Sequence, residues 1–248
     1  MSNIVRPFHK IRKLKILAIL FALAVVILGL LLYTRKIWFV YPDRNIYSVD
    51  GLDVSHHQGK IDWEKVDKKY QFIFVKATEA DDFVDNRFYE NVAGIKDTQR
   101  MLGAYHFFRF DYTGLEQADN YINTVGDIID LQPVVDFEFT GNPKKFDKQQ
   151  VLDELKICVA ALEEYYGHKV IIYATKDAYA DFIENNFDNP IWYRSIIFPI
   201  GNSIKNVCFW QYHNSAIIEG IDTKVDLNVF KGGITELERL MMKSLLPT

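Results

Sequence analysis

The sequence is poor in several residue types whose abundance would define a class of protein. Its 248 residues include two cysteines, Cys158 and Cys208, too few for a disulfide scaffold or a thiolate zinc site. With 13 glycines, 7 prolines and moderate charge, the chain also lacks the composition of a disordered protein. A disulfide in an oxidising compartment stays open, but Cys158 lies in a helical pattern and Cys208 in a strand pattern, which favours two buried thiols.

Several motifs and an excess of positive charge are missing as well. The sequence has no glycine-rich phosphate loop, no serine nucleophile of the G-x-S-x-G type and no internal repeat. The chain holds 29 basic and 33 acidic residues, of which residues 1–45 contribute 8 and 1. The remainder therefore carries 21 basic and 32 acidic residues, a net charge of −11. This excludes nucleic-acid binding through a general basic surface and suits a neutral or cationic ligand, sugars being one such class.

One long hydrophobic run lies near the N-terminus. Ile16–Tyr33 is 18 residues without a charge, and as a helix it would span about 27 Å, close to the ~30 Å core of a bilayer. Basic residues are concentrated before the run, which predicts a cytoplasmic segment 1–15, a single-pass anchor 16–33, a linker 34–45 and an extracytoplasmic domain, periplasmic or on the cell-wall side. A cleaved signal peptide is the alternative. The length of the run and the absence of a small-x-small site argue against it.

Strand and helix patterns alternate after the linker. Eight segments read as strands: Ile46–Ser55, Phe72–Ala80, Met101–Phe110, Pro133–Phe139, Lys169–Thr175, 190–195, 207–213 and 225–230. Between the first six lie helical patterns: Trp63–Tyr70, Arg87–Gln99, Leu115–Ile128, Lys148–Tyr166 and a short helix ending near Phe187. Five βα units followed by three strands predict an α/β fold, an irregular TIM-like barrel. An open doubly wound sheet is the competing architecture, and it would normally bring a phosphate loop.

The segment "PVVDFEF" places two acids in a run that is otherwise apolar and aromatic. Residues i and i+2 of a strand face the same side, so Asp136 and Glu138 should project together into the barrel mouth, with Phe137 opposite. Two carboxyl groups in a partly apolar pocket cannot both ionise cheaply, so one should keep its proton near neutral pH. This pairing suits glycosidic bond cleavage. The alternative is a pair of solvated acids at the barrel rim.

Other strand ends carry polar and aromatic residues that would meet at the same mouth. Asp53 and Asp226 lie on the first and eighth strands, which are neighbours in a closed barrel, and they could raise the pKa of Glu138 or bind sugar hydroxyls. Candidate substrate-binding residues at these ends are Lys76, Tyr105, Tyr173, Trp192, Trp210 and Gln211. For each aromatic residue taken alone, core packing is the competing explanation.

The histidines do not form a metal-binding pattern. His56 and His57 are adjacent in "SHHQG", so as strand residues they would point to opposite faces, and a turn with hydrogen-bonded imidazoles is the favoured reading. His106 lies on an otherwise apolar strand, which favours a buried hydrogen-bonding group over a catalytic base. We therefore predict neither a metal nor a cofactor.

Taken together, these segments resemble glycoside hydrolase family 25, the Chalaropsis-type lysozymes or N-acetylmuramidases. The matching pieces occur in family order: "GLDVSHHQGKIDW", "FIFVKATEA", "GAYHFFR", "PVVDFEF", "IIYAT", "PIWYRS", "FWQYH" and "GIDTKVDLNVF". They cover about residues 46–232, which predicts a catalytic barrel over that range and a C-terminal helix or tail over 233–248. The sequence departs from the family pattern at Ala80, where a glycine is usual, and at Tyr193–Arg194, where small residues are common.

The resemblance implies hydrolysis of the β-1,4 bond between N-acetylmuramic acid and N-acetylglucosamine in peptidoglycan, without a metal. The family's D-x-E motif falls on Asp136 and Glu138, with Glu138 as proton donor, and its other acids fall on Asp53 and Asp226. Its fifth-strand tyrosine and late tryptophan correspond to Tyr173 and Trp210. Because all four acids are present, the resemblance implies an active enzyme.

Several alternatives stay open at this point. A substrate-assisted retaining mechanism is the working hypothesis, and direct attack by water with inversion is its rival. A membrane-anchored protein that binds wall glycan without turnover is a rival of a different class. A chitinase-like glycosidase is a second enzymatic rival, although it would usually show further acids before the D-x-E motif. Peptidoglycan strands and the membrane are the expected partners, and the sequence gives no oligomeric state.

Overall fold

The computed structural model describes residues 5–34, 37–139 and 145–242. The chain divides into two compact units, residues 1–39 and 40–248. In the first unit, helix α1 spans Val5–Tyr33. Its segment Lys10–Tyr33 is long and apolar enough to cross a membrane, and the most apolar stretch within it has a mean hydropathy of 3.1 and is not buried by protein. A helix that is apolar on all sides and uncovered suits a lipid environment, although a signal sequence has the same properties.

The second unit is built around a sheet of nine strands within the described residues. The strands are β1 Val49–Val54, β2 Tyr70–Glu79, β3 Phe83–Val84, β4 Met101–Phe107, β5 Val134–Phe137, β6 Ile171–Ala174, β7 Ile191–Arg194, β8 Val207–Ala216 and β9 Val225–Phe230. The spatial order is β1-β9-β8-β7-β6-β5-β4-β2-β3, and β1 also pairs with β2. This last pairing closes eight strands into a barrel and leaves the short β3 outside the ring. The predicted α/β barrel is confirmed.

The last strand runs against both of its neighbours. β9 is antiparallel to β8 and to β1, whereas the other neighbouring pairs around the ring are parallel. A parallel connection needs a crossover of a dozen or more residues, and the eight-residue loop 217–224 is too short for one. The reversal brings the N-terminal end of β9, and with it Asp226, to the end of the barrel where the parallel strands finish.

Helices cover the outside of the barrel, and one lies at its base. They are α2 Phe88–Lys96, α3 Gly114–Val125, α4 Lys148–Tyr166, α5 Lys176–Ala178 running on into a π-helical turn Tyr179–Ile183, and α6 Ile234–Glu238. Local signals explain the limits of α4: the Asp147 side chain accepts a hydrogen bond from Gln150 N (2.8 Å), and Gly167 ends the helix with φ of +67°.

The segment Trp63–Tyr70, predicted as a helix, is a series of turns. Tyr70 N donates to Asp67 O at 3.1 Å, which closes a single turn. The buried Arg100 side chain donates to the carbonyl oxygens of Trp63 (3.3 Å), Val66 (2.6 Å) and Tyr70 (3.0 Å). This tertiary contact satisfies carbonyl groups that a helix would have used, and it overrides the local helical pattern.

The barrel interior is filled by large aromatic side chains. Phe72, Phe74, Trp192, Phe209 and Phe230 form one buried cluster inside the ring. A second, larger cluster lies between the strands and the outer helices. The interior rings leave no room on the neighbouring strands: a Cβ on Gly51 would lie 2.3 Å from the Phe72 ring, and a Cβ on Gly103 would lie 2.3 Å from that of Phe74. Glycine is therefore a packing requirement at both positions.

The end of the chain closes the base of the barrel. Leu237 of α6 is fully buried in the interior cluster, and Leu131 forms a bridge with Met241. Met242 N also donates to Asp130 O at 2.7 Å. Packing of the barrel thus extends to Met242, ten residues past the boundary drawn from the sequence.

Both cysteine thiols are unpaired, as predicted. Cys158 is buried in α4, and Cys208 lies on β8, where its Sγ is 3.3 Å from Ile191 O. Burial raises the pKa of the Cys208 thiol to about 12, so it is neutral at physiological pH.

Candidate active site

A cavity of about 240 Å³ opens at the end of the barrel where the parallel strands finish. Its lining comes from β1, β2, β4, β5, β6, β7, β8 and β9 and from the loops that follow some of them. The lining residues are Asp53, Val54, Ser55, His57, Gln58, Lys76, Tyr105, Phe107, Asp136, Glu138, Tyr173, Trp192, Gln211 and Asp226. Nine of the ten predicted site residues are among them. The cavity is strongly acidic, because four carboxyl groups share it with one lysine.

Asp136 and Glu138 lie on the same side of the chain at the end of β5. Both line the cavity, whereas Phe137 between them is fully buried on the outer side, where its ring stacks on Phe110 at a centroid distance of 5.1 Å. The strand alternation that predicted this arrangement is therefore present in the structure. The apolar residue between the two acids anchors the strand against the helical layer, which fixes the direction in which both acids point.

Burial and mutual repulsion control the charge of this pair. Burial, followed by the negative charges of Glu138 and Asp53, raises the pKa of Asp136 well above its ordinary value of 3.8. Burial also raises the pKa of Glu138, while the positive charge of Arg194 acts in the opposite direction. The Oδ1 atom of Asp136 is buried and has no hydrogen-bond partner among the described residues. Burial and mutual repulsion thus favour a proton on the pair.

Asp53 and Asp226 face each other across the junction of β1 and β9, where their Cα atoms are register partners. Gln211 Nε2 donates to Asp53 Oδ2 (3.0 Å) and to Asp226 Oδ2 (3.2 Å), and Asn228 Nδ2 donates to Asp53 Oδ2 (2.7 Å). Burial and the charge of Asp53 raise the pKa of Asp226 to about 9. Asp53 is held by amide donors, so Asp226 is the member of this pair that keeps its proton.

The aromatic residues of the cavity are fixed by hydrogen bonds to the same amides. The hydroxyl group of Tyr173 donates to Gln211 Oε1 at 3.1 Å, and Trp192 Nε1 donates to Asn228 Oδ1 at 2.8 Å. Tyr105 contacts the edge of the Trp192 ring, with centroids 6.4 Å apart. These three rings are almost fully buried and form the floor of the cavity. They are rigid surfaces of the kind that can pack against a sugar ring.

Lys76 lies on β2, the neighbour of β1 in the ring, and belongs to an ion network at the cavity. Its Nζ lies 2.6 Å from Glu79 Oε2 and 4.8 Å from the centre of the Phe107 ring, and Arg109 Nη1 binds the other oxygen of Glu79 at 3.2 Å. The ammonium group is therefore held in place by a carboxylate and an aromatic face. It is a fixed donor beside the acid pair.

Trp210 is the one predicted site residue that the structure does not bring to the cavity. Its β8 neighbours Phe209 and Gln211 point into the barrel, so Trp210 points outward. There its ring contacts the edge of Tyr47 at 5.3 Å, and its Nε1 donates to Ser195 O at 2.8 Å. These contacts attach the segment before β1 to the barrel wall.

The turn after β1 contributes lining residues that the sequence analysis did not assign to the site. Ser55, His57 and Gln58 line the cavity, and Ser55 and Gln58 form a capping box in which Ser55 N donates to Gln58 Oε1 at 2.8 Å. His56 instead lies 2.6 Å through Nδ1 from Oδ2 of the buried Asp85. The S-x-x-Q spacing within "SHHQG" was the available signal.

His106 lies outside the cavity, on the opposite face of β4. Its two ring nitrogens contact Thr78 Oγ1 (2.7 Å) and Gln117 Oε1 (3.1 Å). Burial lowers its pKa to about 4, so the ring is neutral and serves as the hydrogen-bonding group that the sequence predicted.

Comparison with known proteins identifies the family. A family model described as "Glycosyl hydrolases family 25" matches residues 52–221, more than half of the chain. The chain belongs to glycosyl hydrolase family 25. The structure of a family 25 glycosyl hydrolase from Bacillus anthracis superposes with a TM-score of 0.76 and 38% identity, covering 83% of this chain and 98% of that one.

Two lysozymes are also similar to this family 25 hydrolase. The bacterial lysozyme from Streptomyces coelicolor superposes with a TM-score of 0.69 and 27% identity, covering 77% of this chain and 96% of that one. Lysozyme M1 from Streptomyces globisporus is 28% identical over 205 residues, which cover 76% of this chain and 70% of the relative. The expected family, fold and enzyme class are confirmed by these matches.

Proposed function

We propose that this family 25 hydrolase is a muramidase that cuts the β-1,4 bond between N-acetylmuramic acid and N-acetylglucosamine in peptidoglycan. The family makes the chain a glycoside hydrolase, and its lysozyme relatives support peptidoglycan as the substrate. One observation carries the assignment of the chemistry. Asp136 and Glu138 share one face of β5 at the cavity, and burial raises the pKa of both.

Glu138 is the proposed general acid. Burial raises the pKa of Glu138, which favours its protonated form, and in that form it can give its proton to the leaving glycosidic oxygen. After bond cleavage the same group is a carboxylate and can take a proton from the attacking water. Asp53 adds negative charge that favours the protonated form of Glu138 before cleavage.

Asp136 is the proposed partner in a substrate-assisted, retaining reaction. The N-acetyl carbonyl oxygen of the substrate attacks the anomeric carbon as the glycosidic bond breaks, and Asp136 orients the acetamido group. The position of Asp136 in the cavity lining beside Glu138 supports this role, because a carboxyl oxygen there can accept the acetamido N–H. Water attack without the acetamido group would give inversion instead.

The remaining lining residues are proposed to bind and position the glycan. Asp53 and Asp226, joined through Gln211, form a wall of fixed hydrogen-bonding groups, and Lys76 lies on the neighbouring strand β2. Tyr105, Tyr173 and Trp192 supply the apolar floor. Because the amides of Gln211 and Asn228 already hold this wall in place, substrate binding does not need to order it.

Digestion of purified peptidoglycan and of chitin side by side tests the function. We expect soluble muropeptides from peptidoglycan, with mass spectrometry showing N-acetylmuramic acid at the new reducing ends. Products with N-acetylglucosamine at the reducing end, or efficient release from chitin alone, would contradict the assignment. NMR of the first-formed anomer tests the mechanism: a β product supports retention, and an α product from the β bond supports inversion.

For localisation, we propose that α1 is an uncleaved single-pass anchor with a cytoplasmic N-terminus and an extracytoplasmic barrel. The basic residues before the apolar run and the length of α1 support this topology. N-terminal sequencing of the protein recovered from membranes is the test. A chain that begins after residue 33 would show that α1 is removed as a signal sequence.

A further inference from the structure

Arg194 is the last residue of β7, at the end of the barrel where the cavity opens. Trp192 of the same strand lines the cavity floor, so strand alternation places Arg194 on the same face one step closer to solvent. The Cα of Arg194 is the register partner of Gln211, whose amide holds Asp53 and Asp226. The side chain is half-buried. A guanidinium group thus stands beside the wall of carboxyl groups.

This guanidinium group makes no hydrogen bond or ion pair with any described part of the chain. The two other cations near the mouth differ from it: Lys76 and Arg109 both bind Glu79, at 2.6 and 3.2 Å. Arg109 also pairs with Asp111 at 3.5 Å, so carboxylates neutralise both of those cations, whereas Arg194 keeps its five N–H donors. A half-buried arginine with unused donors is set to bind an anion from outside the chain.

The electrostatic influence of Arg194 shows how near it lies to the reacting groups. Its positive charge lowers the pKa of Glu138, Asp53 and Asp226, against the burial that raises all three. Among the charged groups that act on Glu138, Arg194 has the largest effect. A substituent on the sugar bound at Glu138 would therefore be close to the guanidinium.

We propose that Arg194 is a specificity-determining residue that binds a carboxylate on the muramoyl unit of the substrate. This inference rests on the proposed function and extends it. The planar guanidinium can hold a carboxylate through two parallel hydrogen bonds, and N-acetylglucosamine, the other sugar of the strand, has no carboxylate. The bound carboxylate has two potential sources: the lactyl group of a strand without peptides, or the stem peptide.

The test compares four substrates with the full-length protein in mild detergent. The substrates are soluble strands with stem peptides, peptide-free strands, and the same peptide-free and peptide-bearing strands after amidation of their carboxylates. The variants are Arg194→Gln, Arg194→Lys and the matched control Arg239→Gln, which removes an exposed arginine next to α6 at the closed base of the barrel. Both KM and strand binding by fluorescence anisotropy are measured at several pH values.

Loss of two charge-assisted hydrogen bonds should raise KM and the dissociation constant of Arg194→Gln about 10- to 100-fold on carboxylated strands. On amidated strands, wild type and Arg194→Gln should agree within about 2-fold. Arg194→Lys should recover part of the binding, and Arg239→Gln should match wild type. Weaker binding of peptide-free strands by Arg194→Gln identifies the lactyl carboxylate as the ligand. Weaker binding confined to peptide-bearing strands identifies the stem peptide.

Equal losses on carboxylated and amidated strands would overturn the inference. A change confined to kcat and to the pH profile would do the same, because it would mean that Arg194 acts only through the pKa of Glu138. Failure of the proposed function looks different: wild type would release no products from any strand. In that case the anisotropy measurements still test the inference about Arg194. If Arg194 recognises the carboxylate, the wild-type protein must bind carboxylated strands more tightly than amidated strands.

Discussion

Burial favours the protonated form of the acidic side chains of the cavity relative to their ordinary state in water. Asp136, Glu138, Asp53 and Asp226 are only partly exposed, and burial raises the pKa of each. Amide donors reach Asp53, which compensates its negative charge, while Asp136 Oδ1 has no donor among the described residues. This division gives the site both protonated and ionised carboxyl groups at one pH, as acid–base cleavage of a glycosidic bond requires.

The buried carboxyl group of Asp226 should lower the free energy of unfolding at neutral and alkaline pH. Its pKa is raised from 3.8 to about 9, so the stability that its protonated form contributes is full below pH 4 and is lost as the pH rises toward 9. The variant Asp226→Asn does not titrate and should gain stability relative to wild type by about 1–3 kcal/mol between pH 4 and pH 8.5. Urea unfolding at both pH values measures this difference. If the free energies of unfolding of the two proteins differ by the same amount at both pH values, Asp226 is not protonated in the folded state.

Ala80 lies in a backbone conformation that favours glycine. Its φ is +55°, in the left-handed region, at the turn between β2 and β3. Ala80→Gly relieves about 1–2 kcal/mol of steric strain that the Cβ atom causes in the folded state. It also costs about 0.5–1 kcal/mol, because glycine loses more conformational entropy on folding. The free energy of unfolding should therefore rise by about 0.5–1 kcal/mol. The midpoint of urea unfolding is the measurement, and a lower midpoint than wild type would contradict the argument.

At the scale of elements, α6 is a packing element and not a loose tail. Leu237→Ala should reduce the free energy of unfolding by about 2–4 kcal/mol, because it leaves a cavity at the base of the barrel. Leu115→Ala is the matched control: Leu115 lies on α3 with 54% of its surface exposed, and its loss should cost less than about 0.5 kcal/mol. If the two variants lose similar amounts of unfolding free energy, α6 contributes little to the stability of the barrel.

The elements that the sequence predicted best are those whose limits depend on local signals. Helix α4 begins and ends where the apolar period, Asp147 and Gly167 place it. The predicted helix over Trp63–Tyr70 was wrong, because the donors that bind its carbonyl oxygens belong to Arg100, some thirty residues away. No local pattern carries that information.

Side-chain direction was harder to predict on strands that are buried on both faces. Most residues of "VCFWQYH" are apolar or aromatic on both alternate sets, so hydrophobic alternation does not show which set faces the cavity. Gln211 and Trp210 were both assigned to the site, and only Gln211 lines it. The acids of β5 were easier, because Phe137 between two polar residues has one possible direction. The unused donors of Arg194 depend on distances to residues of other strands and had no signal in the sequence.

At the scale of the whole molecule, the barrel contains its own core and its own cavity. A chain that begins at Val40 should fold into a soluble domain, because residues 40–248 form a separate compact unit. We expect it to hydrolyse soluble strands with kcat/KM within about 2-fold of the full-length protein, measured by release of reducing ends. Aggregation of the shortened chain, or a large loss of activity on soluble strands, would show that residues 1–39 serve the barrel itself.

The most direct measurement of the central claim is the rate at which Glu138→Gln releases reducing ends from purified peptidoglycan. Glutamine keeps the shape and removes the proton donor, so we predict a loss of about 10²–10⁴-fold while the affinity for strands stays within about 2-fold of wild type. Glu90→Gln, on the exposed side of α2, is the control and should keep full activity. A Glu138→Gln enzyme that retains more than about a tenth of wild-type activity would contradict the account, since the bond would then be cleaved without the acid that the cavity is built around.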